Sequence, residues 1–278
     1  KPRTDLKQLR AFRGTGTQIE FTPDPKIFGE LEFDSKLIQT RLEVCAYLNK
    51  GTKIVFIDEK QKQRTEFQYD GGVSDFLGTL TEKSHRIKGS QFTFSRTEHP
   101  RLDVALCWTD SPAEQIRSFV NGIPTRDGGT HEQGLKDAIL RSVRNYIESN
   151  NPNIPRGVKL AAEDIREGVT AICSCFLVEP QFQGQTKDRL NNPEVRGQLE
   201  GILRPALEKW LYENRTVADA LIARMVMAAR ARQASRDATA QVRRKSAVNR
   251  RLNLPGKLAD CSVSNADQAE LFIVEGDS

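Results

Sequence analysis

The chain has 278 residues, 37% hydrophobic and 28% charged, enough apolar material for one large or two ordinary domains and too much for a disordered chain. No apolar run exceeds five residues (Val104 to Trp108, Met225 to Ala229), far short of the roughly eighteen a membrane helix needs, and the opening residues are polar, so neither a membrane-spanning nor a secreted protein is expected. The net charge is +5, but from Arg215 to Lys257 eleven Lys and Arg face only two acids, Asp219 and Asp237, leaving 31 basic and 35 acidic residues elsewhere. The positive charge is therefore local, and that segment is either a solvated helix face or a surface for a polyanion.

In chain order, Gly14-Thr-Gly16-Thr17 leads into Ile19 and Phe21 alternating with polar residues, which predicts one strand stopped by Pro23-Asp-Pro25. Leu37, Ile38, Leu42, Cys45 and Leu48 recur at helical spacing until Gly51, and Ile54 to Ile57 follow as an expected buried strand. Leu102, Val104, Leu106 and Trp108 alternate with Asp103, Ala105, Cys107 and Thr109 in a second strand. After Gly128-Gly129, a long helix is predicted from Leu135, Ala138, Ile139, Val143 and Ile147, with Thr130 as its cap and Asn150 to Pro155 as its end. A short helix over 161–168 precedes the most β-like stretch, Thr170 to Val178, which closes at Pro180. Val195 to Tyr212 and then Val217 to about Val248 read as helices, the second one basic. The pattern specifies an α/β (α+β) layer domain followed by a long basic helix and the first strand, Leu271 to Val274, of something else. The chain opens without Met and stops just after Glu275-Gly-Asp, so both ends are expected to belong to neighbouring domains.

Three features could carry chemistry. Gly184-Gln-Thr-Lys187 places a lysine at a loop tip beside Gln185 and Thr186, and ammonium and amide donors together match anionic oxygens such as those of phosphate, although a solvated turn lysine would look the same. Glu275 and Asp277 follow the strand-like run 271–274, where an α/β sheet presents catalytic groups and where hard carboxylate oxygens suit Mg²⁺, although Glu-Gly-Asp is also an ordinary turn. Five cysteines (Cys45, Cys107, Cys173, Cys175, Cys261) form no paired framework and point to the cytoplasm. Cys173 and Cys175 share a strand face without a second pair or a nearby His, which favours buried thiols over structural zinc. Gly14-x-Gly16 precedes a strand and lacks the helix of a phosphate loop, and His85, His99 and His131 form no triad; His131 suits a hydrogen-bonding place at a helix start.

These motifs, in order, resemble one family over nearly the whole chain: the ATPase subunit of bacterial type IIA DNA topoisomerases, DNA gyrase B and its topoisomerase IV counterpart. The matching strings are Gly14-Thr-Gly-Thr17, Phe21-Thr-Pro-Asp24 with Ile27-Phe28, Arg41-Leu42 with Tyr47-Leu-Asn49, Asp127-Gly-Gly-Thr-His-Glu132, Gly184-Gln-Thr-Lys187, Leu254-Pro-Gly-Lys-Leu-Ala-Asp-Cys261 and Glu275-Gly-Asp-Ser278.

The resemblance implies that residues 1–30 are the tail of a GHKL ATPase domain, 31–215 a transducer domain of mixed sheet with packed helices in a ribosomal-protein-like two-layer fold, 216–260 a stalk helix and linker, and 261–278 the start of a TOPRIM domain. It implies ATP contact by Lys187, at the γ-phosphate, assisted by Gln185. It also implies a Mg²⁺-ligating and acid/base role for Glu275 at the cleaved phosphodiester, with the remaining TOPRIM carboxylates beyond Ser278. Arg243, Arg244, Lys245 and Lys257 become candidates for phosphate contact with double-stranded DNA. The implied assembly is a heterotetramer with a gyrase A-type breakage-reunion subunit and a self-dimer through the ATPase domain, coupling ATP hydrolysis to strand passage and to supercoiling or relaxation; the fragment alone is expected to be inactive. Gyrase and topoisomerase IV are not separated by these residues. Two rivals differ in class: a non-catalytic nucleic-acid-binding α/β module with a basic helical tail, and a small-molecule phosphotransferase, which would need a Gly-rich loop opening a helix.

Overall fold

A computed structural model describes residues 19–29, 32–150, 152, 154, 155 and 157–249, the last nine by backbone alone. Residues 19–24 have no regular secondary structure; the chain first coils at α1 (Pro25–Phe28), where Asp24 accepts the Lys26 N–H as N-cap and Pro25 occupies the first turn. The strand expected at Ile19 and Phe21 is thus absent among the described residues. Both side chains are exposed, and alternation makes a strand only where a sheet edge accepts it.

Helix α2 (Ser35–Leu48), capped by Asp34, leads to a hairpin of β1 (Ile54–Asp58) and β2 (Gln63–Phe67), and then to α3 (Val73–Leu80). Strand β1 is where the apolar run indicated, but it is not buried as expected. Among the described residues it pairs only with β2, and Ile57 remains 61% exposed. The main sheet combines β3 (Phe92–Arg96), β4 (Arg101–Trp108), β5 (Gln115–Val120), β6 (Ile123–Pro124) and, after α4 (Thr130–Asn150) and α5 (Ala162–Arg166), β7 (Val169–Phe176), in the order β3-β4-β7-β5-β6. The sheet is mixed, because β7 is antiparallel to β4 and parallel to β5. A parallel neighbour requires a crossover, and α4 supplies it.

Central strands β4 and β7 are covered on both faces, which explains their nearly continuous apolar sequence. Leu102, Val104, Leu106 and Trp108 with Ala171, Cys173 and Cys175 face the large helical layer. Ala105, Cys107, Phe119 and Ile172 face a smaller cluster in which Tyr47, Phe76 and Leu77 of α2 and α3 pack. The two principal layers of the expected fold are present, and α2 and α3 add a partial third. Burial pushes the Cys107 thiol up to about 11 and the Cys175 thiol up to about 12, so these cysteines behave as core hydrophobes. Among the described residues no cluster of His, Cys, Asp and Glu could hold a metal ion, and no helix is long and apolar enough to cross a membrane.

The hairpin of β8 (Phe182–Gln183) and β9 (Arg189–Leu190) leads into α6 (Pro193–Glu213), and Asn214 alone separates α6 from α7 (Arg215–Asn249). Helices α4 and α6 run parallel, since their contacts ascend together. Asp137 pairs with Arg196 at 2.6 Å, Arg141 with Glu200 at 3.3 Å, Asn145 donates to Glu208 at 2.7 Å, and the rings of Tyr146 and Tyr212 lie 5.3 Å apart. Helix α7 is fixed beside the other end of β7. There the Arg224 guanidinium donates to the Ser111 carbonyl, and Arg232 makes two hydrogen bonds, 2.7 and 2.8 Å, to Asp164. Burial raises the Asp164 pKa, but the Arg232 guanidinium and the Ala161 N–H outweigh it and hold the carboxyl below the ordinary range.

The α4–α6 contact depends on Gly134, because a Cβ there would lie 2.7 Å from the Arg196 carbonyl oxygen and 3.0 Å from the Leu199 Cβ. Alanine would add about 1 kcal/mol of helix propensity, yet overpacking against backbone costs about 1–3 kcal/mol. Gly134→Ala is therefore expected to lower the urea midpoint at unchanged slope; a raised midpoint would show that the helices separate freely.

Candidate functional site

The lysine loop lies where sequence reading placed it, beyond the C-terminal end of β7. Residues 184–188 join β8 to β9, with Gly184 at φ +77° and Lys187 at φ +60°. Gln185, Thr186 and Lys187 are exposed. The Lys187 ammonium stands 5.8 Å from the centre of the Phe182 ring, within cation–π range, so it lies over its own hairpin while its donors remain open to solvent. A non-glycine residue in the left-handed region costs on the order of 1 kcal/mol, and such strain persists only where the surroundings impose it.

The surroundings come from the motif Asp127-Gly-Gly-Thr-His-Glu132. The Asp127 N–H donates to the Asp188 carbonyl at 2.9 Å, and the Leu190 N–H donates to the Gly128 carbonyl at 3.1 Å, flanking a parallel bridge between Gly129 and Leu190. Gly129 has φ +138°, and a Cβ on it would meet the Leu190 backbone at 2.4–2.9 Å. Only glycine permits this approach. Two motifs far apart in sequence therefore form one structure in which the lysine loop is clasped to the start of α4.

Beneath the clasp lies a buried polar network. The Thr125 hydroxyl meets His131 Nε2 at 3.0 Å and the Ser118 hydroxyl at 2.8 Å, and Ser118 donates to Glu132 at 3.3 Å. His131 is fully buried, its Nδ1 has no hydrogen-bond partner among the described residues, and burial pulls its pKa down to about 4. A base so poor and so enclosed is a hydrogen-bonding residue at a helix start, as its sequence position suggested. The expected cap is different: Thr130 is the first residue of α4 and its hydroxyl has no partner among the described residues, while the Gly129 carbonyl accepts the Gln133 N–H. The reason is the clasp, which puts the glycine backbone at the cap position.

The other half of the hairpin's support was not read from the sequence. The chain turns between β5 and β6 at Asn121-Gly122, both at positive φ, the signature of a type I′ turn. The Asn121 side chain bonds the Leu177 carbonyl at 2.9 Å and the Leu177 N–H at 2.8 Å as the chain leaves β7. Asn192, 4% exposed, accepts the Gln181 N–H at 2.7 Å and donates to the Glu179 carbonyl and to Glu194. Asn before Pro at a helix start was the available signal for this position.

Of the other predicted site residues, Glu275, Lys257 and the cysteine Cys261 lie outside the described residues, as do Gly14 to Thr17 and the strand expected at Leu271 to Val274. Arg243, Arg244 and Lys245 fall on α7, where the backbone alone is described.

The ordinary histidine, with a pKa near 6.5 when unfolded, binds its proton in the unfolded chain between pH 6.5 and 4 but not in the fold, so stability falls as pH drops through that window. The depressed value of about 4 makes this component on the order of 3 kcal/mol. The difference in denaturation midpoint between the protein and His131→Gln is expected to change across pH 6.5–4; a difference constant with pH would show that the imidazole is not held neutral.

The comparisons agree with this arrangement. The family profile for DNA gyrase B matches residues 72–241, which include the clasp, the loop, α6 and most of α7. The chain is 40% identical over 275 residues to DNA gyrase B of Haloferax lucentense, covering 98% of this chain and 43% of that protein, and 39% identical over 278 residues to DNA gyrase B of Streptococcus pyogenes, with 99% and 43% covered. It thus spans less than half the length of these relatives. The 43K ATPase domain of Thermus thermophilus gyrase B, solved with an aminocoumarin, superposes with a TM-score of 0.71 at 34% identity, over 79% of this chain and 59% of that one. The topoisomerase IV ATP-binding domain of Francisella tularensis, solved with a small-molecule inhibitor, gives 0.66 at 27% identity, over 76% and 57%. A family match across the residues that build the clasp, together with relatives of about 40% identity along nearly the whole chain, establishes that this chain belongs to the DNA gyrase B family.

Proposed function

We propose that this chain is the coupling segment of an ATP-dependent type II DNA topoisomerase, in which Lys187 contacts the γ-phosphate of ATP held by an upstream GHKL domain. The observation that carries the reading is the strained, exposed Lys187 on a loop clasped to α4 and feeding within five residues into α6. Its ammonium and the neighbouring Gln185 amide supply donors to anionic oxygens, and contacts to a terminal phosphate vanish once that phosphate departs, which makes them a report of nucleotide state.

Helix α6, 21 residues and about 31 Å long, leads from the loop end of the sheet toward α7, whose anchors sit beside the opposite end of β7. In this reading residues 31–215 form the transducer and 216–260 the stalk, and movement at the loop passes along α6 to the basic helix. Arg243, Arg244, Lys245 and Lys257 then neutralise DNA phosphates without reading sequence. Glu275, one of two carboxylates in Glu-Gly-Asp, offers the hard oxygen donors that Mg²⁺ prefers. The bound ion would stabilise negative charge at the cleaved phosphodiester. A gyrase A-type subunit would hold the nucleophilic tyrosine, and the ATPase domains would dimerise, in the cytoplasm.

Lys187→Ala in the full-length protein is expected to lower ATP turnover about a hundredfold, the scale of removing one donor to developing charge. Unchanged turnover would refute the assignment.

A further inference from the structure

We propose that Asn192 is a positioning residue that ties the chain entering the lysine hairpin, residues 179–181, to the first turn of α6, so that a load on Lys187 reaches the helix without slack. The inference rests on the reading of Lys187 as a phosphate contact, and deepens it by naming what holds the lysine in place.

The hairpin is short. Strands β8 and β9 have two residues each and cannot fix a loop by themselves. On the β9 side the clasp to Gly128 and Gly129 supplies the constraint. On the β8 side the approaching chain, residues 179–181, is held by Asn192: its Oδ1 accepts the Gln181 N–H at 2.7 Å and its Nδ2 donates to the Glu179 carbonyl at 3.2 Å. The Asn191 N–H adds a bond of 2.8 Å to the Gln181 carbonyl. The second Nδ2 hydrogen goes to Glu194 at 2.8 Å, so one amide spans the incoming chain and the first helical turn. Asparagine is suited to this because it offers an acceptor and two donors on one planar group, and here all three functions are used. Pro193 follows and fixes the backbone at the first helical position.

Asn192 lies 4% exposed and makes no side-chain bond to its own helix N–H groups. Its polar capacity goes to the hairpin and Glu194 in place of the usual capping bond. That choice is what distinguishes a clip from a cap.

The test is a double-mutant cycle in the full-length protein, read by ATP turnover under conditions where every variant remains folded by circular dichroism. Asn192→Ala is expected to lower turnover roughly tenfold, the scale of a few lost hydrogen bonds. Asn192→Asp keeps the acceptor for Gln181, loses both donations and faces Glu194, and its turnover is expected to fall between those of the parent and Asn192→Ala. In a Lys187→Ala background Asn192→Ala is expected to change turnover no further, because its effect runs through the lysine. An equal fold-loss in both backgrounds, whether from Asn192→Ala or from the milder Asn192→Asp, would overturn the inference and leave the role of Lys187 intact. Unchanged turnover in Lys187→Ala alone would overturn that role and the inference with it.

Discussion

The contact of the Gly128-Gly129 backbone with residues 188–190 is the constraint on which the functional end of this protein depends. Two hydrogen bonds and a bridge join the entry of α4 to the return strand of the lysine hairpin, at a distance no side chain would allow. Because α4 begins there and α6 follows the hairpin within a few residues, both helices start at one end of the sheet and run side by side. The loop is thus the shared head of two packed helices, and the strained backbone at Lys187 is held by structure on either side.

Polar groups would be out of place in a core meant only for stability. Under the clasp, however, His131, Thr125, Ser118 and the half-buried Glu132 are joined by hydrogen bonds, and such a network constrains the geometry of the groups it links. The apolar remainder is divided between the two faces of β4 and β7, with the larger share against α4, α6 and α7. At the far end, Arg224 and Arg232 hold α7 to Ser111 and Asp164. Rigid packing between two polar anchors suits a segment that transmits displacement, since close-packed interiors pass strain on.

Much of this was legible from the amino-acid pattern. Strands β4 and β7 announce themselves by alternation and by a β-branched, apolar run; α2, α4, α6 and α7 by helical spacing; the lysine by its place in a loop after a strand, beside Gln185 and Thr186. Strands β2, β3 and β5 and helix α3 were not anticipated, because Gln63–Phe67, Phe92–Arg96 and Gln115–Val120 mix charge and apolar residues over five or six positions, and Val73–Leu80 covers barely two turns. Asn121-Gly122 between β5 and β6 did carry a hairpin signal. Ile19, Phe21 and Ile57 misled in the opposite sense: their periodicity is real, but partners in the third dimension decide pairing and burial. At the site, both motifs could be read as strings, whereas their juxtaposition could not, since it depends on the absence of a Cβ at Gly129 and on a single amide at Asn192.

If the clasp and the Asn192 amide act as described, the lysine loop and the starts of α4 and α6 move as one body when nucleotide binds. Amide hydrogen exchange of the full-length protein, with and without a non-hydrolysable ATP analogue, addresses this directly. Residues 184–188, the Asp127 and Leu190 amides and the first turn of α6 are predicted to gain protection together. Slower exchange confined to residues 184–188, with Asp127, Leu190 and the start of α6 unchanged, would contradict it.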